Sequence, residues 1–140
     1  MGSISGHSSL SDDQIEELLD HCGLSDIAES EVAALPLGTQ RRIELGRALA
    51  LQPRLLLLDE IAAGLSTREK QSLALTIRHL AKQGHLNFLV VEHDMDFILP
   101  LAEHIVVLDA GRLLAQGNAD QISNDPAVIN AYLGGHHAAA

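Results

Sequence analysis

The sequence predicts an α/β layered fold, and three observations carry that expectation. "RLLLLD" (54–59) and "NFLVVE" (87–92) are apolar runs without alternation, as expected for strands covered on both faces of a parallel sheet. A helical stretch opening at a Ser66/Glu69 capping pattern lies between them, with Gly84 as its stop. Finally "HIVVLDAGRLLAQG" (104–117) reads as two strands around a turn at Asp109, Ala110 and Gly111, where Gly111 can take positive φ. Strands alternating with helices, then a late hairpin, indicate helices layered on a sheet.

The elements follow in order. Ser11 suits an N-cap, Gln14 stands at N3, and Asp12 and Asp13 sit in the positive first turn of a helix. Ile15, Leu18, Leu19 and Cys22 share one face of it, and Gly23 can end it. "SDIAESEVAAL" is short and polar, with room for a brief helix. Residues 39–51 read as a second helix, stopped by Gln52-Pro53 and carrying Arg41, Arg42 and Arg47. A short helix is expected from Asp94, interrupted near Pro100. Asp125-Pro126 opens a last short helix with an acid cap and proline at N1.

A chain of 140 residues can bury one core, and 46% apolar with 20% charged residues is a folding composition. The formal net charge of −10 argues against nucleic acid or anionic lipid as partners, since both require a basic surface. A single Cys22 excludes an intrachain disulfide framework and fits a reducing compartment. No apolar run approaches the roughly 20 residues of a membrane span. "MGSISGHSSLS" lacks the apolar core of a secretory signal. Residues 1–10 and 135–140 read as flexible ends or remnants of cloning.

In open α/β sheets, ligands collect at the carboxyl ends of parallel strands. Two strands end in polar groups there, one at Asp59 and Glu60, the other at Glu92 and His93. A carboxylate at that edge suits Mg²⁺, which prefers hard oxygen ligands, and a second could orient or deprotonate a water attacking a phosphoryl group. A histidine nearby could hydrogen-bond the phosphate or the water. Other readings stand beside this one. The acids can be solvated or capping, and His93 can be a structural hydrogen bonder. "EHDMD" invites a metal site, although strand alternation would aim Glu92 and His93 to opposite faces. The arginines of 41–47 can simply be a solvated or partner-facing surface.

The order of these pieces resembles the ATP-binding subunits of ABC transporters, specifically those of branched-chain amino-acid importers, over about residues 11–134. "LLLLDE" matches the Walker B strand, "AAGLS" the D-loop, "VVEHDM" the H-loop, and "LPLGTQRR" sits where the signature turn belongs. "HIVVLDAGRLLAQG" matches the paired strands that follow and "NDPAVINAYLG" the closing helix. The resemblance implies the C-terminal half of a P-loop NTPase (RecA-like) ABC core. Residues 11–52 would be a helical and signature part, and 53–134 would run from Walker B through parallel strands to an antiparallel hairpin. It further implies that Asp59 helps hold Mg²⁺ through water, that Glu60 polarises the hydrolytic water, and that His93 contacts the γ-phosphate. Leu37, Gly38, Thr39 and Gln40 would face a nucleotide held by an opposite subunit, and Ala63, Gly64, Leu65 and Ser66 would touch that subunit. ATP and Mg²⁺ would be bound only with the remaining half or a partner. The implied partners are a second ATPase subunit, identical or not, and transmembrane permease subunits. Membrane contact would run only through those partners, at the cytoplasmic inner face.

The pattern departs from the family in four places. The phosphate loop G-x-x-x-x-G-K-[ST] does not occur, so the triphosphate lacks its cradle of backbone N–H groups and lysine. Pro36 stands where the signature serine is usual and has neither hydroxyl nor N–H, while Thr39 replaces a glutamine. Ile61 stands in place of the proline after Asp-Glu, and Ser66 in place of Asp or Asn. The expectations are therefore no ATPase activity from the chain alone, and exposed apolar surface where further strands would pair. An alternative is a non-catalytic module of the same family that docks on an intact ATPase or membrane subunit.

Overall fold

Helix α1 (Asp12–His21) begins where its sequence says it should. Ser11 Oγ accepts from the Gln14 N–H at 3.3 Å and Gln14 Oε1 accepts from the Ser11 N–H at 3.0 Å, a reciprocal capping box. The helix ends at Gly23, whose φ of +63° is a conformation that glycine adopts without strain. Cys22, beside that turn, is fully buried, and burial pushes its thiol up to about 11. The computed structural model describes residues 10–133, so the expected flexible ends, Leu10 apart, lie outside the described residues. The chain divides after Glu92 into two compact units.

In the first unit the polar link after α1 forms two 3₁₀ turns, Ser25–Ile27 and Val32–Ala34. Helix α2 spans Leu37–Leu49, starting two residues before the expected Thr39. Pro36 takes the N-cap with its carbonyl bonded to the Thr39 and Gln40 N–H groups; a proline there sacrifices no helical donor. Strand β1 (Leu55–Asp59) pairs in parallel with β2 (Asn87–Val91), in register from Leu55 opposite Asn87 to Asp59 opposite Val91. Helix α3 (Thr67–Lys82) connects them, capped by Ser66 and Glu69 as expected. Helices α1, α2 and α3 contact one another. The buried residues here include Leu24, Leu45, Leu58, Ile61, Leu65, Leu73, Ile77 and Leu80.

The expectation that both strands are covered on both faces is not met. Leu55, Leu57, Leu89 and Val91 are exposed, Leu57 by 65% and Val91 by 58%, whereas the alternate Leu56, Leu58, Phe88 and Val90 are less so. The reason is the layer count: β1 and β2 form a two-stranded sheet among the described residues, and one of its faces has no cover.

In the second unit Asp94 caps α4 (Met95–Ile98), its Oδ1 accepting from the Phe97 N–H at 3.2 Å. Strands β3 (Ile105–Asp109) and β4 (Arg112–Gly117) are antiparallel. Their two loop residues, Ala110 (φ +46°) and Gly111 (φ +75°), both take positive φ, the geometry that matches strand twist in a two-residue hairpin. An irregularity follows Val107, which opposes Ala115 while Leu108 opposes Leu113. Asn118 and Gln121 form a further capping box that opens α5 (Ala119–Ser123). Asp125 caps α6 (Pro126–Val128), and a π-type turn, Ile129–Leu133, follows it. Tyr132 donates its hydroxyl proton to the Leu108 carbonyl at 2.6 Å, tying that turn to the hairpin. Phe97, Ile98, Ile105, Val107, Ile122 and Val128 are buried in this unit.

Candidate functional site

Parallel pairing sends β1 and β2 to the same edge, so Asp59, the last residue of β1, lies opposite Val91 near the end of β2. Glu60 extends the ladder by one bond, donating its N–H to the Val91 carbonyl at 2.9 Å. Its φ of +48° places a non-glycine residue in the left-handed region, where strain of roughly 1–3 kcal/mol persists only if surrounding structure enforces it. Both carboxylates are exposed. His93 follows Glu92, opens the second unit, and is also exposed.

The start of α2 is built differently from a free anion-binding helix end. Gly38 is buried, and its N–H donates to Glu69 Oε1 at 3.1 Å. The other oxygen of Glu69 accepts from the Ser66 N–H at 2.9 Å and the Ser66 hydroxyl at 2.6 Å. These contacts, the Ser66 hydroxyl first, then the N–H groups of Ser66 and Gly38, hold the Glu69 carboxyl below its ordinary value. A Cβ at Gly38 would lie 2.9 Å from Glu69 Cβ and Cγ, so only glycine lets the two segments approach this closely. Leu37 is exposed, Thr39 Oγ1 accepts from Arg42 at 3.2 Å, and Gln40 Nε2 donates to the Leu35 carbonyl at 2.8 Å.

The loop between β1 and α3 is tethered at its other end as well. Glu92 Oε1 accepts from the Ala62 N–H at 2.8 Å. Ile61, Ala62 and Leu65 are buried, whereas Ala63 and Gly64 are exposed at the loop's tip. Among the described residues no three His, Cys, Asp or Glu side chains gather as a metal-binding group.

Sequence reasoning missed two contributors. Glu69 was legible as the N3 acid of a capping box, but not its bond to a glycine 31 positions away. Glu92 was legible only as an acid beside His93, and no short-range signal points to its tie to Ala62.

Chemically, the exposed acids at the strand edge offer hard oxygen ligands that fit Mg²⁺, and a base or orienting group for water. On the donor side, the Gly38 N–H, which could otherwise meet a phosphate, is already bonded to Glu69.

Known proteins resemble this chain in sequence and fold. A family model described as "ABC transporter" matches residues 3–63, and one described as "Branched-chain amino acid ATP-binding cassette transporter" matches residues 112–138. The chain is 40% identical over 116 residues to the high-affinity branched-chain amino acid transport ATP-binding protein BraF of Pseudomonas aeruginosa, covering 83% of this chain and 46% of that protein. It is 38% identical over 122 residues to LivG, the protein of the same description from Escherichia coli K12, covering 87% and 48%. The crystal structure of the ADP conformation of MJ1267, an ATP-binding cassette of an ABC transporter, superposes with a TM-score of 0.77 at 25% identity, covering 87% of this chain and 49% of that one. The chain belongs to the ABC transporter family of ATP-binding proteins. The two relatives named here are described as branched-chain amino acid transport ATP-binding proteins, and the chain spans about half the length of each.

Proposed function

We propose that this chain carries the Walker B, D-loop and H-loop part of an ATP-binding subunit that couples ATP hydrolysis to import of branched-chain amino acids or a similar small solute. The observation that carries the reading is the parallel β1–β2 pair, which sets Asp59 and a conformationally restrained Glu60 at one sheet edge. In this reading Asp59 would hold Mg²⁺ through water, Glu60 would polarise the attacking water, and His93 would contact the γ-phosphate. Leu37, Gly38, Thr39 and Gln40 would face the nucleotide of an opposing subunit, and Ala63, Gly64, Leu65 and Ser66 would line the dimer contact. Bound ATP and Mg²⁺ would supply the phosphoryl group and its charge neutralisation. No G-x-x-x-x-G-K-[ST] stretch occurs in the 140 residues, so nucleotide binding requires another polypeptide region or subunit. The partners would be a second ATPase subunit and transmembrane permease subunits. The protein would sit peripherally at the cytoplasmic face of the membrane. No described helix is long and apolar enough to cross one.

The test is steady-state phosphate release. The chain alone should release none, and supplying the phosphate-loop portion of a LivG-type relative in trans should produce release that Glu60→Gln abolishes. Release from the isolated chain that disappears in Glu60→Gln would overturn the dependence on a second region.

A non-catalytic, partner-docking module is favoured by one specific observation: the Gly38 N–H is occupied by Glu69, next to a Pro36 that offers no donor. Failure of complementation, together with stable capture by an intact ATPase subunit, would select that reading.

A further inference from the structure

We infer that Glu69 and Glu92 are positioning residues that clamp the loop 60–66 from both sides and join it to the start of α2 as one body. Within the loop, the Ala63 N–H donates to the Glu60 carbonyl at 3.1 Å and the Leu65 N–H to the Ala62 carbonyl at 3.2 Å. Ile61, Ala62, Ala63, Gly64 and Leu65 carry no polar side-chain atoms, so the carboxylates that hold the loop come from outside it. Glu92, following β2, holds the Ala62 N–H, and Glu69, in the first turn of α3, holds the Ser66 N–H and hydroxyl. Helix capping accounts for the Ser66 bonds alone. The Glu69–Gly38 bond is additional: it spans 31 residues, engages an N–H that has no intrahelical acceptor, and is possible because position 38 has no Cβ. A charged acceptor makes each of these bonds stronger than a neutral pair would be. The start of α2 therefore cannot shift without drawing Ser66 along or breaking Glu69 away. The functional consequence rests on the reading above: the two segments assigned to the opposing subunit would be presented to it as a single rigid edge. The clamp itself does not depend on that reading.

Residue-resolved amide hydrogen exchange on the 140-residue chain tests the clamp without nucleotide, so its failure is distinct from failure of the proposed function. Glu69→Ala should raise exchange at Gly38 and Ser66 by on the order of tenfold or more, and Glu92→Ala should do the same at Ala62. Ser66→Ala should leave Gly38 within about twofold of its original rate, because the Glu69–Gly38 bond survives. The amides of α1 serve as an internal control for global unfolding. Should Glu69→Ala fail to fold, Glu69→Gln decides. One carboxamide oxygen cannot replace two carboxylate oxygens, so Gly38 or Ser66 must lose protection. Gly38 protection unchanged in a folded Glu69→Ala would overturn the proposal, as would Gly38 and Ser66 protection both unchanged in Glu69→Gln, or Ala62 protection unchanged in Glu92→Ala.

Discussion

Glu60 combines two properties that rarely meet, a left-handed backbone and a carboxylate at the mouth of a sheet. A side chain at φ +48° works against its own Cβ, so the conformation is imposed by the ladder bond to Val91 and the buried Ile61 and Ala62 that follow. Glu60→Gly should therefore be more stable than Glu60→Ala by about 1 kcal/mol in urea unfolding, both variants having lost the carboxylate. At Gly38 the balance runs the other way. Alanine gains up to about 1 kcal/mol of helix propensity. The new methyl would press on the near end of Glu69, at 2.9 Å from Cβ and Cγ, and overpacking of that kind costs about 1–3 kcal/mol. Gly38→Ala should be net destabilising, with loss of the Gly38 bond visible by amide exchange. Glu69 adds a pH dependence. Its carboxyl is held below the ordinary value of 4.5 in the fold, so its contribution is fully present above that value and is lost as pH falls through the lowered one. Arg42 of α2 and Arg68 of α3 line the same small cleft as Glu69, and their guanidinium groups stay charged throughout this range. Unfolding midpoints should fall less steeply below pH 4.5 in Glu69→Gln than in the parent chain.

Helices and turns were the most legible elements, because their signals are local. Ser11/Gln14 and Ser66/Glu69 wrote two helix starts into four-residue windows, and the structure places a capping box at each. The hairpin turn was readable for the same reason: Gly111 offered positive φ, although Ala110 shares it. Ser11→Ala should accordingly cost about 1 kcal/mol, read as earlier urea unfolding together with faster amide exchange in the first turn of α1. Helix α2 shows the limit of such signals. Its start was displaced by two residues because proline at an N-cap is uncommon, and Pro36 serves there through its carbonyl. The strands were legible as strands but not in their burial. An unbroken leucine run states only that apolar contact is favourable on both sides. Whether a second layer is present depends on residues far away, or on another chain. The site divides in the same manner: Asp59 and Glu60 stood out by position, whereas the bonds made by Glu69 and Glu92 required the folded backbone.

At the scale of the molecule, an acidic chain of net charge −10 carries an open apolar face on β1 and β2. Charge repulsion and apolar attraction then compete, and salt decides between them by screening the first. Light scattering should show association that grows with ionic strength. Leu57→Thr with Leu89→Thr should suppress it with only a small loss of stability, since both side chains are already more than half exposed.

Cys22 turns this architecture into its own stopwatch. The thiol is enclosed behind α1, and with its proton held up to about 11 very little thiolate exists near neutrality. An alkylating reagent must wait for the enclosure to part, so the pace of modification clocks how often the first helix lifts from its neighbours. That rate can be followed by mass on intact chains, with no dye or label introduced.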